Sequence, residues 1–370
     1  MGLTAAAGLF LAACGGLANP EGWSTPSFQN DTLYYFPDRD TLVAVEVDEQ
    51  GPRTAVWSFP DTALEDERDI DVEAVYGDLV VTDDAIYFAG WEGHVYAVEP
   101  EEGRLLWTTH NRISITGSVV GGVLHHDGRL FFGTTEGHFY ALEAETGTIA
   151  PGWPEEGFTF DKGIWATPVL LGDRIFIGTM TGEVHAISPD DGSPVWADPF
   201  ESGTGAIPEL ALIDERLLFV PTLGKTVYLL DPDTGQEAYP SFLTEDWVWT
   251  TPAYGDDFAY FGDFAGLIHA LDITSGQDRW TFDTGAKVKA GPAIVGDVLV
   301  VADREPVVHF IDIDSGERLN AVPLQGAGTV RANVVERGGV AYVLTTNGRL
   351  FRAEPDRLAV TEVSITGAPN

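Results

Sequence analysis

A unit of roughly forty residues recurs along this chain, and its fixed period constrains the fold more than any other feature. It is clearest in Gly93-His94-Val95-Tyr96-Ala97-Val98-Glu99, which leads through Gly103 to Trp107, and again in Gly137-His138-Phe139-Tyr140-Ala141-Leu142-Glu143, which leads to Gly147. With the residue at the Ala position as a marker, the series runs Ala44, Ala97, Ala141, Ala186, Leu229, Ala270, Phe310 and Arg352. The steps are 53, 44, 45, 43, 41, 40 and 42 residues, which makes eight units.

Inside a unit the apolar pattern has period two and is rich in Val, Ile, Phe and Tyr, as in Arg174-Ile175-Phe176-Ile177 and Val184-His185-Ala186-Ile187. Such alternation specifies strands, and no amphipathic helix is evident after the N-terminus. Each unit resolves into four strands, A to D. B and C are joined by small-residue loops such as Gly178-Thr179-Met180-Thr181-Gly182, where glycine supplies a positive φ. C and D are joined by acidic turns such as Asp231-Pro232-Asp233-Thr234-Gly235 and Asp312-Ile313-Asp314-Ser315-Gly316. Eight four-stranded antiparallel units predict an all-β, eight-bladed β-propeller, because radial repetition leaves only short, protected sheet edges. An open solenoid would need polar capping repeats, and none is evident.

A Gly-x-x-x-Trp spacing opens strand D in three units: Gly103 to Trp107, Gly192 to Trp196 and Gly276 to Trp280. Tyr239 and Asn320 stand at the Trp place in units five and seven. A large ring at one fixed place per blade buries area against the neighbouring blade, so Trp107, Trp196 and Trp280 read as docking residues. The whole unit, seen best from Ala270-Leu271-Asp272 through Gly276 to Trp280, resembles the tryptophan-docking repeat of the pyrroloquinoline-quinone (PQQ)-like propellers. That family includes quinoprotein dehydrogenases and BamB-type envelope lipoproteins.

The resemblance to the dehydrogenases would imply a quinone clamped in the central channel, a Ca²⁺ ion, an Asp base and a disulfide of adjacent cysteines. With Cys14 as the only cysteine, neither PQQ nor Ca²⁺ is expected, no catalytic residue is assigned, and the chain is expected not to be an enzyme. The Asp-rich turns lack the later bidentate Glu of a calcium loop and recur as turns. Phosphate-cradling, dinucleotide and His-Glu-x-x-His motifs are absent. Five of the eight histidines, His94, His138, His185, His269 and His309, recur in strand C and are thereby spread around the ring, so no metal site is expected. His125 and His126 are expected in solvent.

Leu3 to Ala13 is a short apolar run ending Leu11-Ala12-Ala13-Cys14-Gly15, which resembles a lipobox without the usual basic residues before it. The expected organisation is a signal segment 1–13, a lipidated Cys14 with a tether to residue 22, and one propeller domain 23–370. The acidic stretch Asp61 to Asp71 reads as an extended surface loop between the first two units. Such a protein would be exported and held on the cell membrane or the periplasmic face of the envelope by its lipid alone. With 58 acidic against 20 basic residues and a formal charge of -38, nucleic acid is not an expected partner.

Against that acidity, the few cations fall in a pattern. Lys162, Lys287 and Lys289, three of only four lysines, lie with Arg112 and Arg331 in the D-to-A connections. Trp23, Trp165 and Trp249 each stand three residues before the proline that opens strand A, a place that Lys289 takes in unit seven. Arg112, Lys162, Trp165, Trp249, Lys287, Lys289 and Arg331 therefore form a candidate collar around the channel mouth, suited to an anionic group or an acidic loop of a partner. The resemblance implies a monomeric, non-catalytic scaffold that binds envelope or membrane proteins, with an assembly role of the BamB type. The alternatives are a PQQ-dependent dehydrogenase and a sensor propeller that binds a ligand or carbohydrate.

Overall fold

The computed structural model describes residues 21–48, 51–65 and 67–367. The signal segment, Cys14 and most of the expected tether lie outside them. Among the described residues thirty-two strands form eight four-stranded sheets, and in each sheet the strands lie in chain order and pair antiparallel. The blades span 27–59, 80–108, 124–159, 169–201, 211–243, 253–283, 293–323 and 335–362. The only helical segment among the described residues is a single 3-10 turn, Pro355–Arg357, so the propeller expected from the repeat is the fold observed.

All eight marker residues fall in strand C, and their register explains the small side chain there. In blade 2 Ala97 lies directly opposite Tyr87 of strand B and Trp107 of strand D. Ala44 lies between Tyr34 and Trp57, and Ala270 between Tyr260 and Trp280. The flanking rings close over the alanine, with centroids 5.8, 6.1 and 5.8 Å apart in blades 1, 2 and 6. Directly opposed residues share one face of a sheet, so a methyl group is all the central place accommodates. Blade 7 inverts the arrangement, with Phe310 central and Val300 and Asn320 on its flanks, which keeps the packed volume similar.

Each junction between blades holds its own apolar core. Eight clusters, one per junction, pack a face of one blade on the next, for example Tyr87, Ala97 and Trp107 of blade 2 against Leu130, Phe132 and Tyr140 of blade 3. The docking rings seal these junctions from outside. The indole N–H of Trp107 donates to the Ala144 carbonyl of blade 3 at 2.9 Å, that of Trp196 to Pro232 at 3.1 Å, and that of Trp280 to Ile313 at 3.0 Å.

The glycine of the motif is explained from the other side. A Cβ on Gly147 would stand 2.3 Å from the Trp107 ring, and one on Gly316 would stand 2.6 Å from that of Trp280. Both glycines also hold φ near +70°. These turn glycines are therefore seats for a ring of the preceding blade: Gly103, Gly147, Gly235 and Gly316 lie under tryptophan, Gly192 under Phe158 and Gly276 under Tyr239. Trp57 docks in the same way, over Gly103 and onto the Pro100 carbonyl. Trp153 keeps only the bond, to the Asp190 carbonyl, while Phe158 covers Gly192, and neither tryptophan was recognised from the four-residue spacing. In blade 7 the Asn320 amide keeps the bond alone, donating to the Leu358 carbonyl at 2.8 Å.

The ring closes between blades 8 and 1 without exchanging a strand. Ala332, Tyr342, Leu344 and Leu350 pack on Leu33, Tyr35, Val43 and Val45. The chain then runs beyond blade 8 to pair with the outer strand of blade 1 in parallel. There the Ala55 N–H donates to the Thr366 carbonyl and the Thr366 N–H to the Arg53 carbonyl, both at 2.8 Å.

Two sequence expectations need correction. Residues 61–65 are exposed, but Glu67 in the same acidic stretch is fully buried. Its carboxylate accepts from the Asp61 N–H at 2.7 Å and the Leu105 N–H at 2.9 Å, so it caps the outer strand of blade 2. His125 is half-buried rather than solvated and stacks on Tyr87 of the neighbouring blade at 5.7 Å. The strand-C histidines do lie around the ring, in separate local contacts: His185 with Glu183 at 3.0 Å, His309 with Asp303 at 2.8 Å, and His94 with His110 at 2.9 Å.

Candidate functional site: the mouth of the central channel

The D-to-A connections are fixed by a repeated pair of backbone bonds. In seven blades a B-to-C loop N–H donates to a connection carbonyl seventeen residues earlier, as in Met180 to Gly163 and Arg304 to Lys287. The next residue along the connection donates back to the preceding blade, Ile164 to Thr134 and Val288 to Asp263. In the five connections that make both bonds two blades are tied together before the chain turns inward, and the side chains that follow project from a rigid frame.

Two tiers of side chains result, one residue per blade in each. The upper tier stands four residues before the start of strand A. It places Trp23, Trp165 and Trp249 in blades 1, 4 and 6, Tyr76 in blade 2 and Val120 in blade 3. Lys289 and Arg331 complete it in blades 7 and 8, while Ile207 of blade 5 turns into the adjoining apolar core. The lower tier lies two residues further along and is polar: Thr25, Asp78, Thr167, Glu209, Thr251 and Asn333, with Gly122 and Gly291 at the remaining places.

Hydrogen bonds run from blade to blade around the lower tier. The Thr25 N–H donates to Asp78 at 3.1 Å, the Gly122 N–H to the Thr167 hydroxyl at 2.8 Å, and the Asn333 N–H to the Thr25 hydroxyl at 3.3 Å. Asn333 also accepts from the Gly291 N–H at 2.7 Å and reaches Thr251 of blade 6 at 3.4 Å. It can do so only because blade 7 offers no side chain: a Cβ on Gly291 would lie 2.5 Å from the Thr251 carbonyl and 2.9 Å from the Asn333 amide oxygen. Gly291→Ala is expected to cost about 1–3 kcal/mol in urea denaturation. A stability unchanged within 0.5 kcal/mol would remove this account of the belt.

The tiers enclose a cavity of about 170 Å³. Trp23 and Trp249 meet edge to face at 6.2 Å, and Trp165 lies 5.9 Å from Trp249. The Lys289 ammonium sits over two indoles, 4.4 Å from the Trp23 centroid and 4.8 Å from that of Trp249. It has no hydrogen bond or ion pair among the described residues. Burial brings its pKa down to about 8, with nearby Glu209 opposing the shift. Burial likewise raises Glu209 to about 7, and the neighbouring Asp78 charge adds to the rise. Arg331 is spoken for: it pairs with Glu21 at 2.5 Å and lies against Trp23 at 5.3 Å.

The expected collar therefore divides. Trp165, Trp249, Lys289 and Arg331 come together in the cavity wall. Arg112, Lys162 and Lys287 are exposed on the connections around it and do not line it, with Lys287 resting over Phe264 at 5.6 Å. Sequence reading missed Tyr76, Asp78 and Glu209, and the two carboxylates offset the cations, so the inner site is not the basic one expected. Among the described residues no three His, Cys, Asp or Glu side chains converge as a metal site, and no helix is long and apolar enough to cross a membrane.

Eight four-stranded blades, four of them docked through tryptophan onto a turn glycine of the next blade, define a propeller of the PQQ-like repeat class. The chain belongs to the family described as outer membrane protein assembly factor BamB, whose model matches residues 39–156, 151–250 and 264–360. Among curated relatives, BamB of Legionella pneumophila (strain Paris) is 28% identical over 194 residues, covering 50% of this chain and 49% of its own. BamB of Alkalilimnicola ehrlichii is 26% identical over 194 residues, covering 50% of each chain. The chain thus spans about half the length of the curated relatives it matches. The crystal structure of BamB from Moraxella catarrhalis superposes with a TM-score of 0.67 at 16% identity, over 89% of this chain and 93% of that one. Sqt1 of Saccharomyces cerevisiae superposes at 0.70 with 11% identity, over 92% and 94%, a likeness of fold alone.

Proposed function

We propose that this chain is a non-catalytic, lipid-anchored scaffold of the cell envelope that binds protein partners during outer-membrane protein assembly. The observation that carries the reading is the match of the assembly-factor family model to three stretches that together run through all eight blades. The residue inventory supports it: the donor set does not fit a calcium-held quinone, since among the described residues no three His, Cys, Asp or Glu side chains converge and a single cysteine cannot supply the disulfide of adjacent cysteines. Anchoring through Cys14 would place the disc beside a membrane without inserting it.

The face that carries the connections is the proposed docking face. Arg112, Lys162 and Lys287 are exposed cations there on a chain of net charge -38, so they would meet acidic loops of a partner while the rest of the disc repels them. Replacing all three by Glu in the full lipidated chain is expected to lower recovery of outer-membrane assembly components from its own envelope by tenfold or more. The melting temperature should stay within a few degrees of wild type, as is usual for surface changes. Unchanged recovery would exclude this face. Failure of the unaltered chain to recover any such component would overturn the scaffold reading itself.

A further inference from the structure

The cavity at the channel mouth carries more chemistry than ring closure requires. Six side chains of the upper tier would close the ring as well if they were aliphatic, as Val120 and Ile207 are in blades 3 and 5. Instead three indoles and a phenol face a belt of hydroxyl, amide and carboxylate groups. Lys289 stands among them with no acceptor for its N–H donors, within electrostatic reach of Glu209 and yet forming no ion pair with it. Both are half-buried in the cavity wall, and the Glu209 side chain accepts from the Leu210 N–H at 3.2 Å. An ammonium and a carboxylate held apart in this way suit a molecule between them that answers both.

Charge decides which kind of molecule. Arg331 is neutralised by Glu21, and the remaining Lys289, Glu209 and Asp78 set opposite signs at two heights of one small space. An anion would suit Lys289 and meet repulsion from the two carboxylates. A cation would suit the carboxylates and the indoles and meet repulsion from Lys289. A neutral polyol meets neither, since each hydroxyl both donates and accepts. About 170 Å³ has room for one six-membered sugar ring, and the C–H face of such a ring is apolar enough to lie on an indole.

We propose that the two-tier cavity binds a neutral monosaccharide unit, with its apolar face toward Trp165 and Trp249 and its hydroxyls shared between Lys289, Glu209 and the threonine belt. The site is distinct from the exposed cations of the docking face, and neither proposal depends on the other.

The indoles of the wall supply the readout. The full chain, held in a detergent without a sugar headgroup, is titrated with glucose, galactose and N-acetylglucosamine while tryptophan emission is followed. Saturable change with at least one of these sugars is expected, together with a weakening of tenfold or more (about 1.4 kcal/mol) in Lys289→Met and in Glu209→Gln. Trp249→Ala should abolish the response. Should that variant fail to fold, the two polar variants still decide, because neither removes a ring of the cavity wall. No saturable response to any of the three sugars overturns the proposal. So does a response to benzoate or to free alanine that exceeds the response to every sugar, since the site would then select an anion or a zwitterion. Binding that survives both polar substitutions would place the sugar elsewhere and equally overturn it.

Discussion

Trp107→Ala should lower the unfolding free energy by about 3–5 kcal/mol, the usual cost of emptying a large aromatic from a packed interior. The ring is 4% exposed, lies over Ala97, rests on Gly147 of the next blade and donates its N–H to Ala144. Nothing nearby can refill the space, because Gly147 is held at φ +69° and carries no side chain. Asn320→Ala gives the matched comparison. Asn320 makes the same inter-blade bond without a ring, so its loss should cost only about 0.5–1.5 kcal/mol. Urea denaturation of both variants separates bond from ring. Equal shifts in the two would mean that the hydrogen bond rather than the buried ring carries the docking.

The second large effect concerns pH. His269 is 3% exposed in strand C of blade 6, with Asp278 at 3.1 Å and Asp263 at 3.6 Å. Burial alone would lower its pKa, but the two carboxylates outweigh burial and bring it from 6.5 to about 9. Asp263 is raised by burial, yet the His269 ring and the N–H groups of Leu267 and Asp246 hold it below the usual carboxylate range. A raised histidine stabilises the fold fully below its unfolded value near 6.5, and the contribution is lost as pH climbs through about 9. A depressed aspartate contributes above its unfolded value and loses that contribution on acidification. His269→Asn should therefore be least stable relative to wild type at about pH 5–6, by on the order of 3 kcal/mol. The gap should narrow as pH rises through 9. A gap that stays constant from neutral to alkaline pH would show that the ring acts by packing alone.

The strand-C series was legible from sequence because Ala97 and its equivalents answer to large neighbours on both sides, and such a constraint is periodic by nature. The docking residues were legible only where the C-to-D turn keeps its length. Trp57 and Trp153 stand six residues after Gly51 and Gly147 instead of four, and blade 1 absorbs its extra residues in two register shifts along strand D. In the channel, Trp23, Trp165, Trp249 and Lys289 could be aligned because Pro26, Pro168, Pro252 and Pro292 mark the start of strand A. Tyr76 and Arg331 occupy the same place, but Leu79 and Val334 stand where the proline would be, so no marker sets their register. Asp78 and Glu209 were lost for a different reason. In so acidic a chain two further carboxylates carry no signal until the fold turns them inward.

The seam between blades 8 and 1 imposes an order in time. Every other junction joins blades that are neighbours in sequence, so each can be made as soon as the next blade has formed. Blade 1, by contrast, keeps the face formed by Leu33, Tyr35, Val43 and Val45 bare until Tyr342, Leu344 and Leu350 arrive some three hundred residues later, and Thr366 can pair with Arg53 only after that. Contacts of such long sequence separation form late. A partner that grips both sides of the seam would therefore recognise finished rings and pass over chains still in transit.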